Sequence, residues 1–114
     1  MKIFAALLLF SQLAHASTLE WAFDASLAAD MLTTADIRNH PDQHEMNPVL
    51  GRYPSDARIA VYGATAAGLH YLVTRALEGA NAPPGLVTAW ELLSIGVEVG
   101  WVAHNYSLGL RVRL

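Results

Sequence analysis

The chain has 114 residues, which is enough for one domain only. Hydrophobic residues make up 54% of it and charged residues 15%, against roughly 25% charged residues in soluble domains. This balance favours a membrane protein or an exported chain. The net charge of -3, with no basic run, excludes an electrostatic footprint for nucleic acid. The absence of Cys excludes disulfides, thiolate catalysis and cysteine-based zinc sites.

Residues 1–16 have the form of a secretory signal peptide. Lys2 supplies the positive start, residues 3–10 are apolar, and Ala14 and Ala16 stand at the two small-residue positions before the predicted cleavage. The alternative is an uncleaved N-terminal apolar helix, although this run is short for a membrane span. Either interpretation predicts an envelope location and leaves 17–114 as the remaining domain.

Three helices are predicted, over 18–37, from 55 or 56 to 77, and over 84–108. Ser55 follows a proline and can cap the second helix, and Pro84 suits the first turn of the third. Gly109 ends the third helix. The predicted fold is therefore all-α, a small three-helix membrane bundle after an N-terminal signal peptide. The acids of the first helix count against this, since a charge inside a span is costly unless paired.

Arginine placement indicates a topology. Arg38, Arg52 and Arg58 lie in or beside the first connection, and Arg111 and Arg113 lie at the C-terminus. If the segment after the signal starts outside, three crossings put both groups in the cytoplasm, as the positive-inside rule requires. The sequence thus predicts a bacterial inner-membrane protein with the lipid bilayer as its partner. The alternative is a soluble periplasmic helical binding domain.

Small residues recur at four-residue spacing. The third helix carries Gly96 and Gly100 on either side of Glu98, so we expect a neighbouring backbone to approach this stretch, as such faces do in lipid. Besides lipid, the predicted partners of the chain are a second copy of itself or another membrane protein.

Polar residues share helix faces: Asp30 with Thr34, His70 with Thr74, and Glu91 with Glu98 and Asn105. They could form a proton relay, an ion site or a catalytic acid, because a buried carboxyl group must be hydrogen-bonded or protonated. They could equally be interhelical hydrogen bonds that fix helix register. Glu98, in the middle of its helix, is the first candidate for a functional role.

The loop over 44–54 is polar and rich in turn-forming residues. Asn47-Pro48 favours a turn, Gly51 allows positive φ, and Glu45 could accept hydrogen bonds from the amides that follow it. It could be a rigid connector or a binding site. Two nearby histidines do not form a metal-binding motif, and neither a metal nor a cofactor is predicted. No hydrolase or phosphate-loop motif is present, so the sequence favours a protein that is not an enzyme.

Four elements of the sequence resemble those of a family of small, uncharacterised three-span membrane proteins from bacteria and phages. These elements are Asp30-x-x-Thr33-Thr34, Glu45-x-Asn47-Pro48-x-Leu50-Gly51-x-x-Pro54-Ser55, Gly96-Val97-Glu98, and His104-Asn105-Tyr106-Ser107-x-Gly109. The resemblance covers most of 20–109, and its Glu-x-Asn-Pro-x-Leu-Gly element is the most specific part. It implies a membrane location, and no activity or substrate. It also implies a shared role for Asp30, Glu45, Asn47, Pro48, Glu98, His104 and Asn105.

The leading hypothesis is a small integral membrane protein, bacterial or phage-encoded, that acts through interactions in the inner membrane or envelope. The second is an intramembrane enzyme or an ion or proton site built on Asp30, Glu45, Glu98 and His104. The third is the soluble periplasmic binding domain. Thr34, Asn47 and Asn105 complete the set of candidate functional residues.

Overall fold

The structure, a computed structural model, describes residues 17–114 as three helices, each antiparallel to the next. Helix α1 spans Thr18–Ala35, α2 spans Asp56–Gly79 and α3 spans Pro84–Ser107. A 3-10 helix, Asp36–Asn39, continues α1. No strand occurs in this part of the chain. The predicted all-α fold is confirmed, and every helix begins and ends within two residues of the prediction. The last two residues predicted for the first helix belong to the 3-10 helix instead. The signal peptide prediction falls on 1–16, outside the described residues.

Local chemistry explains where the helices begin and end. The hydroxyls of Ser17 and Ser55 each accept a backbone N–H from one turn further on, at 3.2 and 3.1 Å, and so cap α1 and α2. Pro84 occupies the first turn of α3, where no backbone donor is lost. Gly109 has a φ of +89° just beyond α3, a conformation that terminates helices and that glycine adopts without strain.

Helix α1 is the centre of the bundle. Both α2 and α3 pack against it, whereas α2 and α3 have few contacts with each other. Phe23, Leu27 and Met31 recur every four residues along α1 and are buried with Ile59 and Ala67 of α2. This four-residue recurrence keeps one apolar stripe facing the neighbouring helices. The sparse α2–α3 contact leaves room for a cleft between them.

The loop between α1 and α2 folds back onto the bundle. The carbonyl of Asn47 accepts the backbone N–H groups of Leu50 and Gly51, at 3.1 and 3.2 Å. Gly51 has a φ of +80°, and Leu50 is buried against the helices. Glu45 accepts the backbone N–H of Asn47 at 2.9 Å, as its predicted capping role requires. The loop is therefore a fixed turn with an apolar anchor.

Helix α3 has an inverted pattern: its inward face is polar and its outward face is apolar. Glu91 and Asn105 are buried, whereas Leu93 is 71% exposed. Among the described residues α3 is the one helix long and apolar enough to cross a membrane, and only 6% of its apolar stretch is buried.

The two glycines of α3 lie on the outward face. A Cβ atom on Gly96 or Gly100 would meet nothing within 4 Å. The expectation that a neighbouring helix of the bundle approaches Glu98 at these glycines is therefore wrong for the described chain. The reason is geometric: each glycine is two residues from Glu98, and two residues turn a helix by more than half a circle.

Candidate functional site

A cavity of about 100 Å³ lies where the three helices meet the α1–α2 loop. Its polar lining comes from four segments of the chain: Asp30, Thr34, Glu45, Asn47, Tyr62 and Glu98. Helix α1 supplies two of these groups, the loop two, and α2 and α3 one each. Three carboxyl groups that are distant in sequence are thus brought to one small space.

Asp30 and Glu98 bring two carboxyl groups into this cavity from α1 and α3. Two carboxyl groups in one small space do not readily ionise together, because like charges repel, so such a pair can share one proton. Asn105 supports the pair by donating from its Nδ2 to Asp30 Oδ1 at 3.2 Å and to Thr33 Oγ1 at 2.8 Å. Glu98 Oε2 is buried and has no hydrogen-bond partner. The carboxyl pair is therefore a candidate proton-binding site.

The loop contributes oriented groups to the cavity. Asn47 donates from its Nδ2 to Tyr62 Oη at 2.9 Å, and its Oδ1 accepts the backbone N–H of Val49 at 3.0 Å. Both ends of this amide are fixed, and so is the Glu45 carboxylate that accepts the Asn47 N–H. The loop can therefore be both a rigid turn and part of a site.

A second polar cluster lies about ten residues away along α1, near the start of that helix. His70 Nδ1 and Glu20 Oε1 are 3.0 Å apart, and both side chains are buried. The imidazole ring is stacked on Phe23, with ring centres 3.7 Å apart, and faces Trp90 at 5.1 Å. Trp90 donates from its Nε1 to Thr74 Oγ1 at 3.0 Å. Aromatic packing and hydrogen bonds thus hold the imidazole in one orientation.

A third cluster, centred on Asp36, joins the end of α1 to the C-terminal tail, at the opposite end of the bundle from Glu20 and His70. The buried Asp36 carboxylate accepts the Arg111 backbone N–H at 3.0 Å and Asn39 Nδ2 at 2.8 Å, pairs with Arg113, and lies 3.1 Å from His40 Nε2. Burial raises the pKa of this carboxyl, but these hydrogen bonds and the Arg113 charge outweigh it and lower the pKa from 3.8 to about 2. The C-terminal tail is therefore tied to the end of α1.

The structure brings most of the sequence-predicted site residues together. Asp30, Thr34, Glu45, Asn47 and Glu98 line the cavity. Asn105 adjoins it through its hydrogen bond to Asp30.

His104 is separate from this group. It is exposed, and its ring meets the edge of Trp101 at 5.9 Å. Within residues 17–114 no group of three or more His, Asp and Glu side chains is arranged to hold a metal ion.

Sequence reasoning missed Glu20 and Tyr62. For Glu20 a signal was present, since it lies seven residues before Leu27 and fourteen before Thr34, which places all three on one buried face of α1. No pattern indicated Tyr62, because its role depends on where the loop folds.

Comparison of this chain with protein-family models, with curated proteins and with solved structures finds no match.

The Asp36 cluster predicts a pH dependence of stability. A carboxyl whose folded pKa is lower than its unfolded pKa stabilises the fold above the unfolded value, and this contribution is lost as pH falls through the folded value. We expect Asp36→Asn to lower the free energy of unfolding by about 1–3 kcal/mol at neutral pH. The variant should also lose less stability than the wild type as the pH falls from about 4 to about 2.

Denaturant unfolding of the purified chain at several pH values measures both effects. Asp42→Asn, at an exposed position in the following loop, is the matched control and should follow the wild type. Parallel pH curves for Asp36→Asn and the wild type would contradict the assignment.

Proposed function

We propose that this chain is a small integral membrane protein of the bacterial inner membrane, whose three helices enclose a proton-binding carboxyl pair, Asp30 and Glu98. The observation that carries the proposal is the inverted polarity of α3. The carboxyl pair inside the bundle favours the proton-site hypothesis over a role in membrane interactions alone.

The outward faces of α2 and α3 support a lipid environment. Their exposed side chains are large and apolar, as at Leu69, Leu72, Leu92, Leu93 and Val97, each more than half exposed. So many large apolar side chains exposed on two helices are unusual for a soluble monomer. Helix α3 has 24 residues, about 36 Å at 1.5 Å per residue, which is enough for a hydrocarbon core of about 30 Å.

The acids of α1, which count against a membrane span in the sequence, all lie inside the bundle. Glu20 and Asp24 are buried, and Asp30 lines the cavity. Ionisable residues within membrane spans characteristically face the bundle interior and pair with one another. The inward placement of these acids therefore removes the main objection to a membrane location.

Charge at the two ends supports an orientation. Five of the six arginines belong to the end of the bundle that carries the α1–α2 loop and the C-terminus. Arg75, towards the other end, is paired with Glu78 at 2.7 Å. By the positive-inside rule the arginine-rich end is cytoplasmic, and the cavity of Asp30 and Glu98 lies on the side of the cytoplasmic loop.

A second candidate function, self-association or binding to another membrane protein, is favoured by one observation. Gly96 and Gly100 are exposed on the outward face of α3 with open space around them. In lipid, small residues four apart allow a second helix to approach closely. This role is compatible with the proton site, because the two use opposite faces of α3.

The location predicts how the protein fractionates. Because the outward surface of α2 and α3 is apolar, the full chain should remain with membranes after an alkaline wash and dissolve only with detergent. Recovery of the chain in an osmotic-shock extract without detergent would rule out a membrane location.

The carboxyl pair predicts an infrared signature. In the full chain reconstituted into lipid bilayers, the shared proton should give a carbonyl stretching band of a protonated carboxylic acid at neutral pH. Glu98→Gln and Asp30→Asn should each weaken that band, since each removes one of the two carboxyl groups that share the proton.

Glu78→Gln is the matched control, because Glu78 is a half-exposed glutamate in an ion pair on α2. It should leave the band unchanged. A band of unchanged intensity in both Glu98→Gln and Asp30→Asn would show that the proton is not held by this pair.

A further inference from the structure

The Glu20–His70 pair has features that a purely structural contact does not need. Both side chains are at least nine-tenths buried, and each has one atom, Glu20 Oε2 and His70 Nε2, that is buried without a hydrogen-bond partner. Leaving such an atom unpaired costs about 1–3 kcal/mol, and native proteins keep few of them outside strained or functional places.

A cleft between α2 and α3 connects this pair to the carboxyl site. The cleft has a volume of about 290 Å³, with Phe23 of α1 among its lining residues, and both His70 and Glu98 line it. Glu98 also lines the cavity that contains Asp30 and Glu45. Glu98 therefore lines both spaces, and its Oε2, like His70 Nε2, is buried without a hydrogen-bond partner.

The neighbouring groups hold the imidazole without occupying Nε2. Phe23 and Trp90 stack on its two sides, and Nδ1 lies against Glu20. Thr74 holds Trp90 by accepting its N–H. An imidazole fixed in this way has one nitrogen available for each of two carboxyl groups.

We propose that Glu20 and His70 form a second proton-binding station, which exchanges protons with the Asp30–Glu98 pair through the cleft between α2 and α3. This inference rests on the proposed proton site, and it adds a path for protons between that site and the start of α1.

The exchange balances as two reversible transfers. The Glu20 carboxylic acid gives its proton to His70 Nδ1, which leaves a Glu20 carboxylate and an imidazolium. The imidazolium then gives its Nε2 proton to a Glu98 carboxylate, which leaves a neutral imidazole and a Glu98 carboxylic acid. Histidine suits this role because its two nitrogens can accept and donate separately.

The charged groups around this station come from all three helices. They are Glu20 and Asp24 of α1, Glu91 and Glu98 of α3, and Arg75 of α2 itself. Glu91 accepts the hydroxyl of Ser17 at 3.2 Å. Of these groups, Glu20 and Glu98 are the two with which His70 exchanges a proton in the proposed transfers.

The test is nitrogen NMR of the full chain, labelled at histidine and reconstituted into phosphatidylcholine–phosphatidylglycerol nanodiscs. The His70 signals are identified by their loss in His70→Gln. We expect the Nδ1 and Nε2 signals to show proton exchange at the ring at neutral pH, and the Nε2 signal to shift in Glu98→Gln, which removes the acceptor of the Nε2 proton. Asp30→Asn, a second variant that leaves Glu98 in place, should also shift it. Glu78→Gln should not.

Two results would overturn the inference. One is a His70 ring whose two nitrogens show no proton exchange. The other is an Nε2 signal that neither Glu98→Gln nor Asp30→Asn moves. In both cases the infrared band of the Asp30–Glu98 pair would still report whether the proposed function stands, so the two failures are distinguishable.

Discussion

Inside a helical bundle a polar side chain must find its partner in the bundle itself, because water is not there to supply one. This constraint explains why α1 lies at the centre. Its acids have partners on both of the other helices: Glu20 lies against His70 of α2, and Asp30 shares a cavity with Glu98 of α3 and is hydrogen-bonded to Asn105. Each interhelical contact thus carries a polar pair as well as apolar packing, and the pairs fix the register of all three helices.

The polar groups form levels along the bundle rather than a single site. From the start of α1 they run from Ser17 and Glu91, through Glu20 and His70, to Asp30 and Glu98, and end at Asp36 with the C-terminal tail. The first three levels pair acids with a hydroxyl, an imidazole and a second carboxyl group, whereas the last uses arginine.

The fold and part of the site could be predicted from sequence because their signals are local. Capping serines, prolines and glycine mark the helix ends, and the seven-residue spacing of Glu91, Glu98 and Asn105 indicates one inward face. What could not be predicted depends on how segments meet. The partnership of Asn47 with Tyr62 requires the loop to fold back, and the outward direction of Gly96 follows only once Glu98 is known to point inward.

The central claim is that a lipid bilayer surrounds this polar interior, with the arginine-rich end inside the cell. Because the chain has no cysteine, single cysteines at Ala80, exposed in the α2–α3 turn, and at Met46, 62% exposed in the α1–α2 loop, report on the two ends directly. With a membrane-impermeant maleimide on intact spheroplasts, we expect Ala80→Cys to be labelled at once and Met46→Cys only after the membrane is opened. Equal labelling of both in intact spheroplasts would contradict the account.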